Sequence, residues 1–334
     1  MNKPRAALAM APKAAEAVLD PSALAALRGV CDLAPPPVLD DFGTGHAATV
    51  LKDVEVLVTG WGCPPVDEAA LDLAPKLRAI VHAAGSVRGH VTEACWDRGI
   101  EVSSAASANA LPVAEYTVAM ILLSGKRVLE RARELRTGAR DDFLRTARQV
   151  GNYGRTVGIL SASLIGRRVI ELLRPYDLRI LLHDPFVSDD EASALGAVGV
   201  SIGELFTRSD IVSVHTPLLP STTGLVSREL IGSMPPDAVL INTARGAVID
   251  QDALTEAAVD GRIRAILDVT EPENLPPDHP LFRCDNVIIT PHLAGSQGNE
   301  WRRLAELAVG EVGRWAAGAG FAHPVLRERL GQLA

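Results

Sequence analysis

Aromatic side chains make up only 4% of this 334-residue chain, so Ala, Val, Leu and Ile must build its cores. That palette suits helices packed on parallel strands. Cysteine is equally scarce. Cys31, Cys63, Cys95 and Cys284 form no CxxC pair and no metal-ligand cluster, which excludes a disulfide framework and a zinc site and reads as reduced thiols. A surplus of positive charge is missing as well. The formal net charge is −8, so neither a nucleic-acid nor a membrane partner is expected. The densest basic stretch, Lys126–Arg148, is interleaved with Glu130, Glu134, Asp141 and Asp142 and reads as a solvated or subunit-facing helix. No apolar run long enough to span a membrane stands out, and Met1–Ala15 lacks the apolar core of a signal peptide. The expectation is a cytoplasmic protein.

What is present is an alternation of short β-branched runs with helical patterns, the signature of parallel sheets covered on both faces. In the first third, Arg5–Met10, Val54–Thr59, Arg78–Ala83 and Ile100–Ser103 read as strands. A helix is expected from Asn109, with Asn109 as its cap and Pro112 in the first turn. Its body, Leu111–Leu123, is apolar nearly all round and should be buried. Beyond it, Thr156–Leu160, Leu178–Leu182, Ile211–His215, Ala238–Asn242, Ala265–Asp268 and Val287–Thr290 read as the strands of a doubly wound dinucleotide-binding sheet. After His292, Trp301, Leu304, Ala305, Ala308, Val312 and Trp315 recur at helical steps. This helix would return to the first domain. The reading is therefore an α/β protein of two doubly wound domains. A Rossmann cofactor domain, 109–297, is inserted into a flavodoxin-like substrate domain, 1–108 and 298–334, with a ligand cleft between the lobes.

The cofactor signal is uneven. Thr156–Pro185 runs strand, tight turn, helix, then a strand ending in Asp184, which stands 18 residues after Gly166. A carboxylate there can bind the adenosine ribose hydroxyls and repel a 2′-phosphate, which favours NAD over NADP. The glycine pattern is damaged, however. Ser161 and Ser163 stand where the first two glycines of GxGxxG belong, and only Gly166 survives. A seryl Cβ excludes some left-handed geometries.

Three further segments are more specific: Leu205–Thr222, Met234–Asp250 (MPPDAVLINTARGAVID) and Leu267–Gly295, which contains LDVTEPENLPPDHPL and NVIITPHLAG. In this order they resemble the D-isomer-specific 2-hydroxyacid dehydrogenases, over nearly the whole stretch from Arg78 to Arg314. The resemblance implies a catalytic set of Arg245, Glu273 and His292. It implies NAD contacts from Ser161, Ser163, Leu164, Ile165, Asp184, His215, Thr216, Pro217, Thr222, Thr243, Ala244, Asp268 and Gly295, with Asp268 on the nicotinamide carboxamide. It places the substrate on Gly85, Ser86, Asn109 and Arg245, and implies a homodimer embraced through Lys126–Tyr153. Glu273 stands where formate-oxidising relatives carry glutamine, so formate is not expected. Little chain follows His323, so an appended sensor domain is not expected either.

The residue types suit the chemistry. When a 2-keto acid is reduced, its oxygen becomes an alkoxide and needs a proton. Imidazole titrates near neutrality, so His292 can donate one. Glu273 would hold the other ring nitrogen and fix the tautomer. Arg245 can clamp the substrate carboxylate and polarise the keto group. Singly, each has a structural reading: a lone histidine after a strand is usually structural, and acids are common in proline-rich loops. All three follow the carboxyl ends of expected parallel strands, where open α/β sheets place ligands. The damaged glycine motif leaves an alternative open, an NAD-sensing binding or corepressor-like protein with little turnover. Arg88, near the end of the loop His82–Gly89, is read as extra positive charge favouring a more anionic or larger acid, with a plain surface arginine as the alternative.

Overall fold

A computed structural model describes residues 3–136, 138 and 150–332. The chain divides into two compact units, the first formed by Met1–Ala110 and Ser296–Leu333, the second by Leu111–Gly295 and Ala334. The second unit is thus inserted into the sequence of the first.

In the first unit, β1 (Arg5–Ala9), β2 (Asp32–Leu33), β3 (Val56–Thr59), β4 (Ala79–His82) and β5 (Glu101–Ser104) pair in parallel in the order β2-β1-β3-β4-β5. This is the flavodoxin-like order. Every residue of β3 and β4 is buried, as expected when both faces are covered. Alternation divides the side chains between two cores. Leu57, Ile80 and Val102 pack on one face, and Val56, Val58, Ala79 and Val81 on the other. The second face is closed by the helix Trp301–Ala316, through Leu304, Ala305, Ala308 and Val312. The buried Glu311 on that helix accepts hydrogen bonds from Ser103 Oγ (2.7 Å), Ala322 N (3.0 Å) and His323 N (2.9 Å). Three donors satisfy a carboxylate that would otherwise be costly to bury.

In the second unit, β6 (Thr156–Leu160), β7 (Arg179–His183), β8 (Val198–Gly199), β9 (Ile211–Val214), β10 (Val239–Asn242), β11 (Arg264–Leu267) and β12 (Val287–Ile289) form one parallel sheet ordered β12-β11-β10-β9-β6-β7-β8. Read from β8, this is the 3-2-1-4-5-6 order of a dinucleotide-binding sheet with one strand added. Again the faces alternate. Val157, Ile159, Val239, Ile241 and Ile266 serve one core, and Leu160, Val212, Val214, Leu240 and Leu267 the other. Helix starts are marked by side-chain caps: Ser163, Ser188, Ser201, Ser227 and Asp250 each accept an amide of the first turn.

Several sequence expectations are corrected. The edge strands β2 and β8 were not foreseen, because two residues carry no legible period. The helix expected from Asn109 starts at Ala106 and runs to Gly125, so Asn109 is not its cap and Pro112 lies inside it. This helix is also not fully buried. Glu115 and Ala119 are exposed, and Met120, Leu122 and Leu123 are half-buried. By length and composition alone it could cross a membrane, yet it carries Pro112 and Glu115, and Ala114, Val118 and Ile121 pack in a core of the second unit. Of the charged stretch Lys126–Tyr153, Val128–Arg136 is helical, and residues 137 and 139–149 lie outside the described residues.

Candidate active site

In a parallel sheet every strand ends on the same edge, so residues just past the strands converge. In the second unit Ser161–Ile165 follow β6, Asp184 follows β7, and His215–Pro217 follow β9. Thr243–Arg245 follow β10, Asp268 follows β11, and His292 and Gly295 follow β12. Register keeps these ends level, since Leu160 pairs with His183 and Val214, Asn242 with Val214 and Leu267, and Leu267 with Ile289.

His292 and Glu273 meet directly. Nδ1 of His292 lies 2.5 Å from Glu273 Oε1, and both side chains are about half exposed. A carboxylate only accepts, so the Nδ1 proton points to Glu273 and Nε2 is left for other chemistry. The two loops are held by residues on one phase of the β11 exit. The buried Asp268 accepts Thr290 Oγ1 (2.6 Å), Leu293 N (2.8 Å) and Ala294 N (2.9 Å), and its carbonyl accepts His292 N (3.0 Å). These bonds fix His292 at a left-handed φ of 51°, a conformation that surrounding contacts must enforce. Two residues on, the buried Thr270 places its hydroxyl 2.8 Å from Pro272 O and 3.1 Å from Glu273 O, tying down the loop that carries Glu273. Tyr116 OH reaches Thr290 Oγ1 at 2.9 Å, and burial pushes the phenol pKa up.

Arg245 is presented by Asn242, whose side-chain amide donates to Arg245 O (2.9 Å) and accepts from Ala244 N (3.0 Å). Its guanidinium donates to Ala244 O (2.6 Å). The next residue must be glycine, because a Cβ on Gly246 would lie 2.0 Å from Thr270 O. That close approach sets the Arg245 loop against the backbone that leads to Glu273. The hydroxyl of Thr243 lies 3.1 Å from Thr117 Oγ1. Thr222 closes its own loop by donating to Pro217 O (2.6 Å) and accepting from Leu219 N (2.8 Å).

Whether NAD fits these residues can be tested on unsatisfied groups. His215 is buried with Nε2 on Ser213 Oγ (3.0 Å), and burial pushes its pKa down to about 3. Its Nδ1 and the buried Thr216 Oγ1 have no hydrogen-bond partner among the described residues. Buried polar atoms are nearly always paired, so two unpaired ones at this strand end suit a polar ligand. The first amides of the helix Leu164–Leu173 likewise lack intrahelical partners, which suits an anion such as a pyrophosphate. The residues fit the cofactor.

In the first unit the loop after β4 holds Gly85 and Ser86. Asn109 Oδ1 accepts Ser296 N (3.0 Å), which fixes its amide orientation, and Nδ2 lies beside Gly85. Beneath this loop lies a cluster that sequence reasoning missed. Thr59 Oγ1 joins His82 Nδ1 (2.9 Å) and His90 Nε2 (3.0 Å), with the rings 4.5 Å apart. Burial lowers the pKa of His82 to about 3, with help from His90, and that of His90 to about 4. Thr270 and Asn242 were also missed. Both stand next to singled-out motifs, but their hydrogen bonds are set by loop geometry rather than by spacing. Arg88 is tied by its guanidinium to Leu330 O.

Residues 118–294 match the family model described as D-isomer specific 2-hydroxyacid dehydrogenase, NAD binding domain. This chain belongs to that family. It is 34% identical over 285 residues to a D-3-phosphoglycerate dehydrogenase of Methanocaldococcus jannaschii, covering 82% of this chain and 53% of the relative. It is 36% identical over 250 residues to a glyoxylate reductase of Thermofilum pendens, covering 73% of each. The chain thus spans about half the length of the phosphoglycerate dehydrogenase and about three quarters of the reductase. Among solved structures, the TT0316 protein of Thermus thermophilus superposes with a TM-score of 0.77 at 30% identity, over 96% of this chain and 100% of that one. D-mandelate dehydrogenase of Rhodotorula graminis shares the fold, with a TM-score of 0.82 at 23% identity over 97% of this chain and 98% of that one. The matched region is the family's NAD-binding domain, so NAD is the cofactor of this chain.

Proposed function

We propose that the protein interconverts a small D-2-hydroxy acid and its 2-keto acid with NAD(H), with His292 as general acid and base. The observation that carries this reading is the 2.5 Å contact between His292 Nδ1 and Glu273, which leaves Nε2 to exchange a proton, in a chain of this family. NAD(H), when bound, accepts or supplies the hydride. In the reducing direction, Nε2 gives its proton to the keto oxygen as the C=O bond becomes C–O, and takes it back in the oxidising direction. Glu273 holds the ring in the productive tautomer and stabilises its protonated form. Arg245 binds the substrate carboxylate and draws charge toward the keto oxygen. In the first unit, the amides of Gly85 and Ser86 and the side chain of Asn109 are the groups assigned to the acid. The cofactor is assigned to Ser161, Ser163, Leu164, Ile165, Asp184, His215, Thr216, Pro217, Thr222, Thr243, Ala244, Asp268 and Gly295.

The test is a panel of glyoxylate, hydroxypyruvate, pyruvate, phenylpyruvate, 2-oxoglutarate and, in the oxidising direction, 3-phosphoglycerate, each with the matching NAD or NADP form and followed at the nicotinamide absorbance. Turnover of at least one acid with NAD(H) is expected. Tight NADH binding without turnover of any would leave a nucleotide-sensing protein.

A homodimer is the assembly proposed. Ala119 is exposed, Met120, Leu122 and Leu123 are half-buried, and Val128 and Leu135 are 39% and 72% exposed, giving a surface that a second copy can cover. A monomeric mass at micromolar concentration would count against it.

A further inference from the structure

Asp184 does more in this fold than wait for a ribose. Ser161, the first residue after β6, adopts a φ of 81°, a left-handed conformation that glycine takes freely and serine does not. Something must hold it there. Its N–H donates to His183 O (2.8 Å). Its carbonyl lies against Gly166, where a Cβ would stand 2.0 Å from the oxygen. Its hydroxyl donates to Asp184 Oδ2 (3.1 Å), and the next amide, Ala162 N, donates to the same oxygen (2.8 Å). The other oxygen, Oδ1, accepts Phe186 N (2.9 Å). One carboxylate thus collects three donors, two of them from the turn between β6 and the helix Leu164–Leu173.

We propose that Asp184 is the lock that holds Ser161 in its left-handed conformation and so shapes the phosphate-binding turn, in place of the glycine freedom this sequence lacks. The inference rests on the assignment of this turn to the dinucleotide. Its consequence differs from that of a carboxylate that only discriminates at the ribose. Removing such a carboxylate opens the site to a 2′-phosphate. Removing Asp184 from this chain first releases the turn, so both dinucleotides lose affinity.

The experiment is a double-mutant cycle of S161G, D184N and S161G/D184N. The apoproteins are titrated with NADH and NADPH by nicotinamide fluorescence, and their melting temperatures are measured without dinucleotide. D184N is expected to weaken NADH by about tenfold, the size of one lost charge-assisted hydrogen bond, without tightening NADPH, and to lower the melting temperature. S161G alone is expected to leave the melting temperature of the apoprotein near the parent's, since glycine adopts the same φ without help, and to cost NADH no more than the contact of one hydroxyl. In S161G/D184N the melting temperature should return toward the parent's, NADH should bind more tightly than to D184N but less tightly than to the parent because the ribose carboxylate is gone, and NADPH should now bind more tightly than to the parent. If D184N has the same effect in both backgrounds, or S161G fails to restore a lowered melting temperature, the lock is wrong while the turn remains the dinucleotide site. If no variant alters either affinity, the location of the dinucleotide is wrong as well.

Discussion

The two units present the same kind of edge, the carboxyl ends of a parallel sheet, but furnish it differently. In the second unit the edge carries ionisable side chains held by other side chains: His292 by Glu273, the His292 loop by Asp268, and Ser161 by Asp184. In the first unit it carries a small-residue loop over two buried histidines whose pKa values lie at about 3 and 4, with Asn109 fixed by a backbone amide. On the proposed function, charge sits where a proton would move, and neutral hydrogen bonding where an acid would be recognised. His292, the proposed proton donor, is half exposed, whereas a supporting group gains rigidity from burial.

The largest effects should fall in the second unit. His292→Asn keeps a residue that tolerates a left-handed φ, so the fold should survive while kcat falls by about 10²–10⁴-fold. Steady-state rates and a melting curve check both halves. A rate near the parent would end the distinction drawn between the two edges. Thr270→Val is nearly isosteric and removes the hydroxyl that ties the Glu273 loop. A fall in kcat of about three- to tenfold is expected with KM little changed, and Thr270→Ser should restore it.

Acid should act more strongly on the first unit. His82 and His90 are held neutral by burial there, against His215 alone in the second. Each has a folded pKa below its unfolded value, so the unfolded chain binds the extra proton. Stability is therefore full above about pH 6.5 and is lost as pH falls toward about 4 for His90 and about 3 for His82, with a slope of at most about 1.4 kcal/mol per pH unit for each histidine. Denaturant melts at pH 7 and pH 5 should show the loss, and His90→Gln should reduce its slope. Equal slopes for parent and variant would remove this difference between the units. The smallest effect is expected at the exposed edge of the first unit. Arg88→Ala should cost about 0.5–1 kcal/mol on losing its bond to Leu330 O, and a KM ratio of dianionic to monoanionic acids equal to the parent's would end the reading of Arg88 as charge that selects the acid.

Most of this architecture was legible because parallel strands buried on both faces write continuous apolar runs. All five residues of β6 were placed, and the other expected strands fell within two residues of their observed ends. The misses have physical causes. Two-residue edge strands have no period, and the start of the helix Ala106–Gly125 was misplaced because Asn109 and Pro112 mimic a cap while Asn109 actually accepts Ser296 N from far along the chain. Arg245, Glu273 and His292 were named from motifs. Thr270, Asn242 and the cluster of Thr59, His82 and His90 were not, because their partners are fixed by loop conformation.

The two parallel sheets, the family and the residues that follow each strand are written in the chain itself, since all of these depend on local period and on motif order. What those residues do to one another is settled in three dimensions. Folding turned the Nδ1 proton of His292 toward Glu273, set Gly246 against Thr270 O, and closed Asp184 onto a serine where a glycine was expected. The reason is geometric: a hydrogen bond depends on tenths of an ångström between groups many residues apart, and spacing along a chain does not contain that distance.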